Sequence, residues 1–86
     1  MVQLDIEQQL KQIVAAVAGI PMADLEDDHR LRDELMLDSL KEMEIVARTE
    51  IKFDISLDEG ELADIKTLGD FRRIVEAYLA AKKAKN

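Results

Sequence analysis

Asp38-Ser39-Leu40 closes a polar loop and opens a helical pattern, and the reading of this stretch decides the fold. Met43, Val46, Glu50 and Phe53 follow at spacings of three and four, the period of a helix with one face turned to a core. The helix therefore starts at Ser39, with Asp38 as its N-cap, a short side chain whose oxygen accepts from an amide of the first turn. One serine hydroxyl is thereby set at an exposed helix start, and it is the chief chemical handle on the chain.

Working outward toward the N-terminus, Ile6, Leu10, Ile13, Val14 and Val17 recur at helical spacing within residues 5–18, with Glu7, Gln8, Lys11 and Gln12 opposite. Gly19-Ile20-Pro21 ends that helix, because glycine supplies the exit and proline cannot continue the hydrogen-bond ladder. The connection over residues 22–37 is polar and acidic, yet Leu25, Leu31, Leu35 and Leu37 punctuate it, which predicts a loop pinned to the core by leucines.

Toward the C-terminus, the second helix runs over residues 39–53, a loop follows over 54–61, and a short third helix is expected around residues 61–65. Thr67-Leu68-Gly69-Asp70 has the form of a capping box, with threonine bonding an amide ahead and the acid reaching back. Phe71, Ile74, Val75, Tyr78 and Leu79 carry the apolar face of the last helix, and Lys82, Lys83 and Lys85 put positive charge at its negative pole. No segment alternates as a strand would. The reading is an all-α fold, a small bundle of three long helices plus one short helix. Residues 1–80 form one domain and residues 81–86 a basic, frayed tail. Leu10, Ile13, Val14, Val17, Met43, Val46, Phe53, Phe71, Val75 and Leu79 are expected in the core.

At 86 residues there is room for one core and none for a large enclosed catalytic cleft. Absence of cysteine excludes disulfides, thiolate metal sites and thiol nucleophiles, and suits a reducing compartment. The first residues form neither a basic leader nor an apolar run, and no stretch approaches the roughly 20 apolar residues of a membrane span, so a cytoplasmic location is expected. The formal charge is −7, and residues 24–64 hold 15 acidic against 5 basic residues. That field repels nucleic acid and attracts proteins with basic patches. A monomer is expected.

The sequence resembles the acyl carrier proteins, and the resemblance covers nearly the whole chain. Asp38-Ser39-Leu40 matches the family's attachment motif. Leu31, Leu35 and Leu37 before it, Phe53-Asp54-Ile55 after it, and Ile65-Lys66-Thr67 further on fall where such proteins usually carry similar residues. The resemblance implies an acyl-carrier-like fold. It also implies that a phosphopantetheinyl transferase moves 4′-phosphopantetheine from coenzyme A onto Ser39, giving a flexible arm that carries acyl groups as thioesters to fatty-acid, polyketide or related biosynthetic enzymes. Asp38 would serve partner recognition, and an aspartate there leans toward acyl cargo over the alternatives, an aminoacyl, peptidyl or D-alanyl carrier. Leu40, Glu44, Ala47, Arg48 and Ile51 share a second face of the helix, and by resemblance that face docks acyl-loading and acyl-processing partners, with Leu40 as its apolar anchor. Two residues depart from the pattern. Met36 stands where many relatives carry glycine, and Lys41, with Arg48 and Lys52, makes this helix less acidic than in many fatty-acid carriers.

Rival chemistries find less support. The one histidine, His29, lies in the long loop, and a hydrolytic serine needs an imidazole or lysine poised against it, so the chain is read as a carrier and not an enzyme. Asp54, Ser56, Asp58 and Gly60 alternate like a calcium loop, but its glycine position holds Glu59 and its twelfth position Ile65, so no metal site is expected. The rival of a different class is an unmodified acidic helical interaction module, which explains the charge and the helices but not the position of Asp38-Ser39-Leu40.

Overall fold

The computed structural model of the chain describes residues 5–85. Helix α1 spans Ile6–Ala18, a single 3-10 turn Met22–Asp24, α2 Ser39–Phe53, α3 Glu59–Leu62 and α4 Leu68–Lys85. Among the described residues there is no strand, and one isolated backbone bridge joins Arg30 to Thr67.

Each helix end has a local cause. The Asp5 side chain caps α1 through the Gln8 amide, and Gly19 closes it at φ 72°, the left-handed region glycine enters without strain. The expected capping box opens α4. The Asp70 amide donates to Thr67 Oγ1 at 3.1 Å, and the Thr67 amide donates back to Asp70 Oδ2 at 3.2 Å. The short helix begins at Glu59, two residues earlier than the spacing predicts. Asp58 caps it, accepting the Gly60 amide at 2.7 Å, and Glu59 and Glu61 suit the positive end of a helix. Helix α4 carries on through residues 81–85, assigned from sequence to the basic tail. Within it Lys82 Nζ donates to the Phe53 and Asp54 carbonyls at 3.2 and 2.8 Å, satisfying orphan acceptors at the end of α2. Asn86, the tail's last residue, and residues 1–4 of the expected domain lie outside the described residues.

The core is aliphatic with one aromatic ring. Leu10, Ile13 and Val14 of α1 meet Ile45 of α2 and Leu68, Phe71 and Val75 of α4. Val17, Val46, Phe53 and Leu79 pack against this cluster half-buried. Met43 is a correction, since it stands 67% exposed. The buried row of α2 is Ile45 and Thr49, four residues apart, so the inward stripe is rotated away from the Met43–Val46–Glu50 row. Thr49 hides this stripe from a hydropathy reading. It is fully buried, with its hydroxyl donating to the Ile45 carbonyl at 2.7 Å, so its polar atom is satisfied inside its own helix.

The long loop is pinned as its leucines predict, with Leu25, Leu31, Leu35 and Leu37 all buried. Its backbone is stitched to the start of α4. The Leu31 amide donates to the Lys66 carbonyl at 3.0 Å, Leu68 to His29 at 3.0 Å and Gly69 to Asp27 at 2.7 Å. A Cβ on Gly69 would stand 3.0 Å from the Asp27 carbonyl oxygen, so glycine allows this close approach. Asp27 also receives the Arg72 guanidinium, which in turn reaches Glu76. The loop is thereby a fixed platform for the helix start that follows it.

Candidate functional site

The backbone leading into Ser39 alternates between buried and exposed. Leu35 and Leu37 are buried, and the Leu37 amide donates to the Leu31 carbonyl at 3.0 Å. Met36, between them, points outward at 79% exposure and adopts φ 56°. The left-handed turn suited to glycine is thus kept with methionine in it, at a cost of about 1 kcal/mol, and the bulky side chain makes an apolar rim. Asp38 follows in extended conformation, and its carboxylate accepts the Lys41 amide at 2.9 Å while its carbonyl accepts that of Glu42. Ser39 is therefore the first residue of α2, and it is exposed.

Two surfaces meet at this serine. One is an open cavity of about 790 Å³ between α2, the long loop and residues 59–65, lined by Ser39, Met43, Val46, Ala47, Leu62 and Ile65 among others. Such a volume lies within the usual range for small-molecule pockets. Arg32 and Glu42 also line it, held together by guanidinium N–H bonds of 2.9 and 3.2 Å to the two carboxylate oxygens. The other surface is the outer face of α2. Leu40, Glu44, Ala47, Arg48 and Ile51 are all exposed there, Leu40 to 77% and Ile51 to 82%, with Arg48 paired to Glu44 one turn away. Asp38 is exposed at its upper end.

Sequence reasoning missed the residues that shape the cavity. Glu50, placed on the apolar stripe by spacing, uses Oε2 to accept the Leu57 amide at 2.8 Å and so fixes the linker after α2. Tyr78, placed on the apolar face of α4, has a hydroxyl that accepts the Asp58 amide and donates to Glu61, both at 3.0 Å. Nothing in one-dimensional spacing reports these partners, which lie 7, 20 and 17 residues away. His29 accepts the Glu26 amide through Nδ1, a turn contact. Among the described residues no side chain hydrogen-bonds to Ser39 Oγ, no cluster of metal ligands occurs, and no helix is long and apolar enough to cross a membrane.

Comparison with known proteins agrees with this geometry. Residues 8–75 match the family model for the phosphopantetheine attachment site. The acyl carrier protein of Rhodococcus erythropolis is 34% identical over 98% of this chain and 93% of its own length. The meromycolate extension acyl carrier protein of Mycolicibacterium aurum is 31% identical over 98% of this chain and 82% of its own length. The solution structure of holo acyl carrier protein from Geobacter metallireducens superposes with a TM-score of 0.81, at 25% identity, over 96% of this chain and 95% of that one. The chain belongs to the acyl carrier proteins, whose class is defined by a phosphopantetheine prosthetic group.

The residues at the start of α2 fit that group. Its phosphodiester would carry negative charge, and among the described residues the Ser39 and Leu40 amides at the positive pole of α2 take no partner. Ser39 also lines the cavity, beside apolar side chains such as Met43, Val46, Leu62 and Ile65 and the charged Arg32, Glu42, Glu50 and Glu59.

Proposed function

We propose that Ser39 Oγ is the attachment point and that the cargo is an apolar acyl chain. The observation that carries this reading is an exposed, unengaged serine hydroxyl at the N-terminus of α2, on the lining of a largely apolar cavity. When bound, the prosthetic group supplies a thiol on a flexible arm that holds acyl groups as thioesters. The chain's own residues do the rest. Asp38 fixes the first turn of α2, so that the hydroxyl projects from a rigid helix start toward a phosphopantetheinyl transferase. As a carrier, the protein presents its cargo to enzymes of fatty-acid, polyketide or related synthesis, which perform the reactions.

Docking falls to the outer face of α2. Leu40 and Ile51 supply exposed apolar area, while Asp38 and Glu44, with the acidic field of residues 24–64, draw in basic patches on the partner. Arg48 answers Glu44 and lowers the net charge of this face, a basis for discrimination among partners. The protein works as a cytoplasmic monomer of one carrier domain.

Incubation with coenzyme A and a broadly tolerant transferase tests the attachment. Intact mass is expected to rise by one phosphopantetheine in the wild type and not in Ser39→Ala, with the melting temperature of the variant unchanged. Loss of folding in Ser39→Ala would make the serine structural and overturn the reading. For the cargo, methyl NMR spectra of Val46, Leu62 and Ile65 should differ between short-chain and long-chain loaded forms. Indistinguishable spectra would place the chain outside the cavity.

A further inference from the structure

We infer that the Tyr78 hydroxyl latches the α3 segment over the cavity and sets how well a carried chain is shielded there. The inference rests on the reading that the chain enters the cavity. Glu59, Leu62, Ala63 and Ile65 form one wall, so residues 58–65 act as a lid.

The lid is fixed at its two ends, and between them it is held by the half-buried packing of Leu62 and Ile65 and by few hydrogen bonds. Before it, Leu57 is buried and its amide is held by Glu50 Oε2. After it, the Lys66 carbonyl accepts from Leu31, and the Lys66 amide donates to Asp70 Oδ2 at 3.2 Å. Within residues 58–65 the backbone bonds of Gly60, Leu62, Ala63, Asp64 and Ile65 all stay inside the segment, and α3 has no buried residue. Among the described residues, the hydrogen bonds from this segment to the rest of the protein are the two made by Tyr78. Its ring packs against the core from the middle of α4, a long helix anchored by buried Phe71 and Val75. The hydroxyl thus has a firmer support than the lid, whose Leu62 and Ile65 reach the core only half-buried. A four-residue helix is too short to persist without tertiary support. Breaking the latch therefore frees a lid whose ends remain attached, which is local opening and not unfolding. Tyr78→Phe removes the hydroxyl and keeps the ring.

The first arm uses unloaded protein and methyl relaxation dispersion. Tyr78→Phe is expected to raise the population of an open minor state about two- to tenfold, the size of one to two net hydrogen bonds, at the Leu62 and Ile65 methyls. Leu10 and Val75, buried and away from the cavity lining, should show no such exchange. Glu61→Ala cuts one of the two bonds without touching the ring. It is expected to raise the same population less, and it carries the test if Tyr78→Phe does not fold. The second arm compares hydroxylamine release of butanoyl and decanoyl cargo loaded on the wild type and the variant. The wild type should protect the longer chain, and the variant should lose most of that protection.

Unchanged dispersion overturns the latch. Raised dispersion with wild-type protection of the decanoyl group also overturns it, since the lid then moves without consequence for cargo. Equal release of both chains from the wild type would instead sink the cavity reading itself, and the latch with it.

Discussion

Met36 shows how a single residue separates what the backbone needs from what the surface shows. Its φ of 56° asks for glycine, and its side chain is 79% exposed, so little burial repays the strain. Met36→Gly relieves about 1 kcal/mol of left-handed strain but adds unfolded-state freedom of similar size. We expect urea denaturation to place its stability within about 1 kcal/mol of the wild type. Met36→Val, branched at Cβ, should instead lose about 1–2 kcal/mol, because β-branching makes that region a true outlier. An equal response to both substitutions would show that the turn is not held in the left-handed region. Sequence reading singled out this position as one where many relatives carry glycine. The structure shows that the backbone keeps the glycine conformation and that the methionine changes the rim.

At the scale of the element, what was legible had a local cause. Asp38, Gly19 and the Thr67–Asp70 box act on amides and carbonyls a few residues away, so the starts of α2 and α4 and the end of α1 could be read from spacing alone. The inward face of α2 could not. Ile45 was passed over and Met43 taken as core because Thr49, a polar residue by composition, fills the innermost position. The bonds from Glu50, Tyr78 and Lys82 escaped for another reason, since each reaches across the fold to a backbone that only the tertiary structure brings near. The distinction carries an energetic consequence for the two phenylalanines. Phe71 is 3% exposed, and Phe71→Ala should cost about 3–5 kcal/mol, whereas half-buried Phe53 should cost clearly less on the same substitution. Equal losses in chemical denaturation would contradict the burial described for α2.

For the whole molecule, the dock between the long loop and α4 governs the acid response. Asp27 is held below its ordinary value of 3.8 chiefly by its hydrogen bond from Arg72, against a smaller opposing effect of burial. Asp70 is held below the same value chiefly by the Lys66 and Thr67 amides that donate to it. A carboxylate with a depressed folded value stabilises fully above its unfolded value, and the contribution is lost as pH falls through the folded one. The dock should therefore be at full strength at neutral pH and weaken below about pH 4. Asp27→Asn combined with Asp70→Asn should lower stability at pH 7 and flatten the fall between about pH 5 and pH 2. An undiminished acid slope in the double variant would move the cause to other carboxylates. Because the same loop carries Leu35 and Leu37 to the start of α2, loosening the dock should disturb the Ser39 platform before the α1–α4 core.

The account stands on Ser39 bearing the prosthetic group, and peptide mapping tests that most directly. Trypsin releases residues 33–41, which contain Ser39, apart from residues 53–66, which contain Ser56, the other serine of the chain. In protein produced together with a broadly tolerant phosphopantetheinyl transferase, we expect the added mass on the peptide of residues 33–41 alone. Modification on the Ser56 peptide, or a chain recovered wholly unmodified, would contradict it.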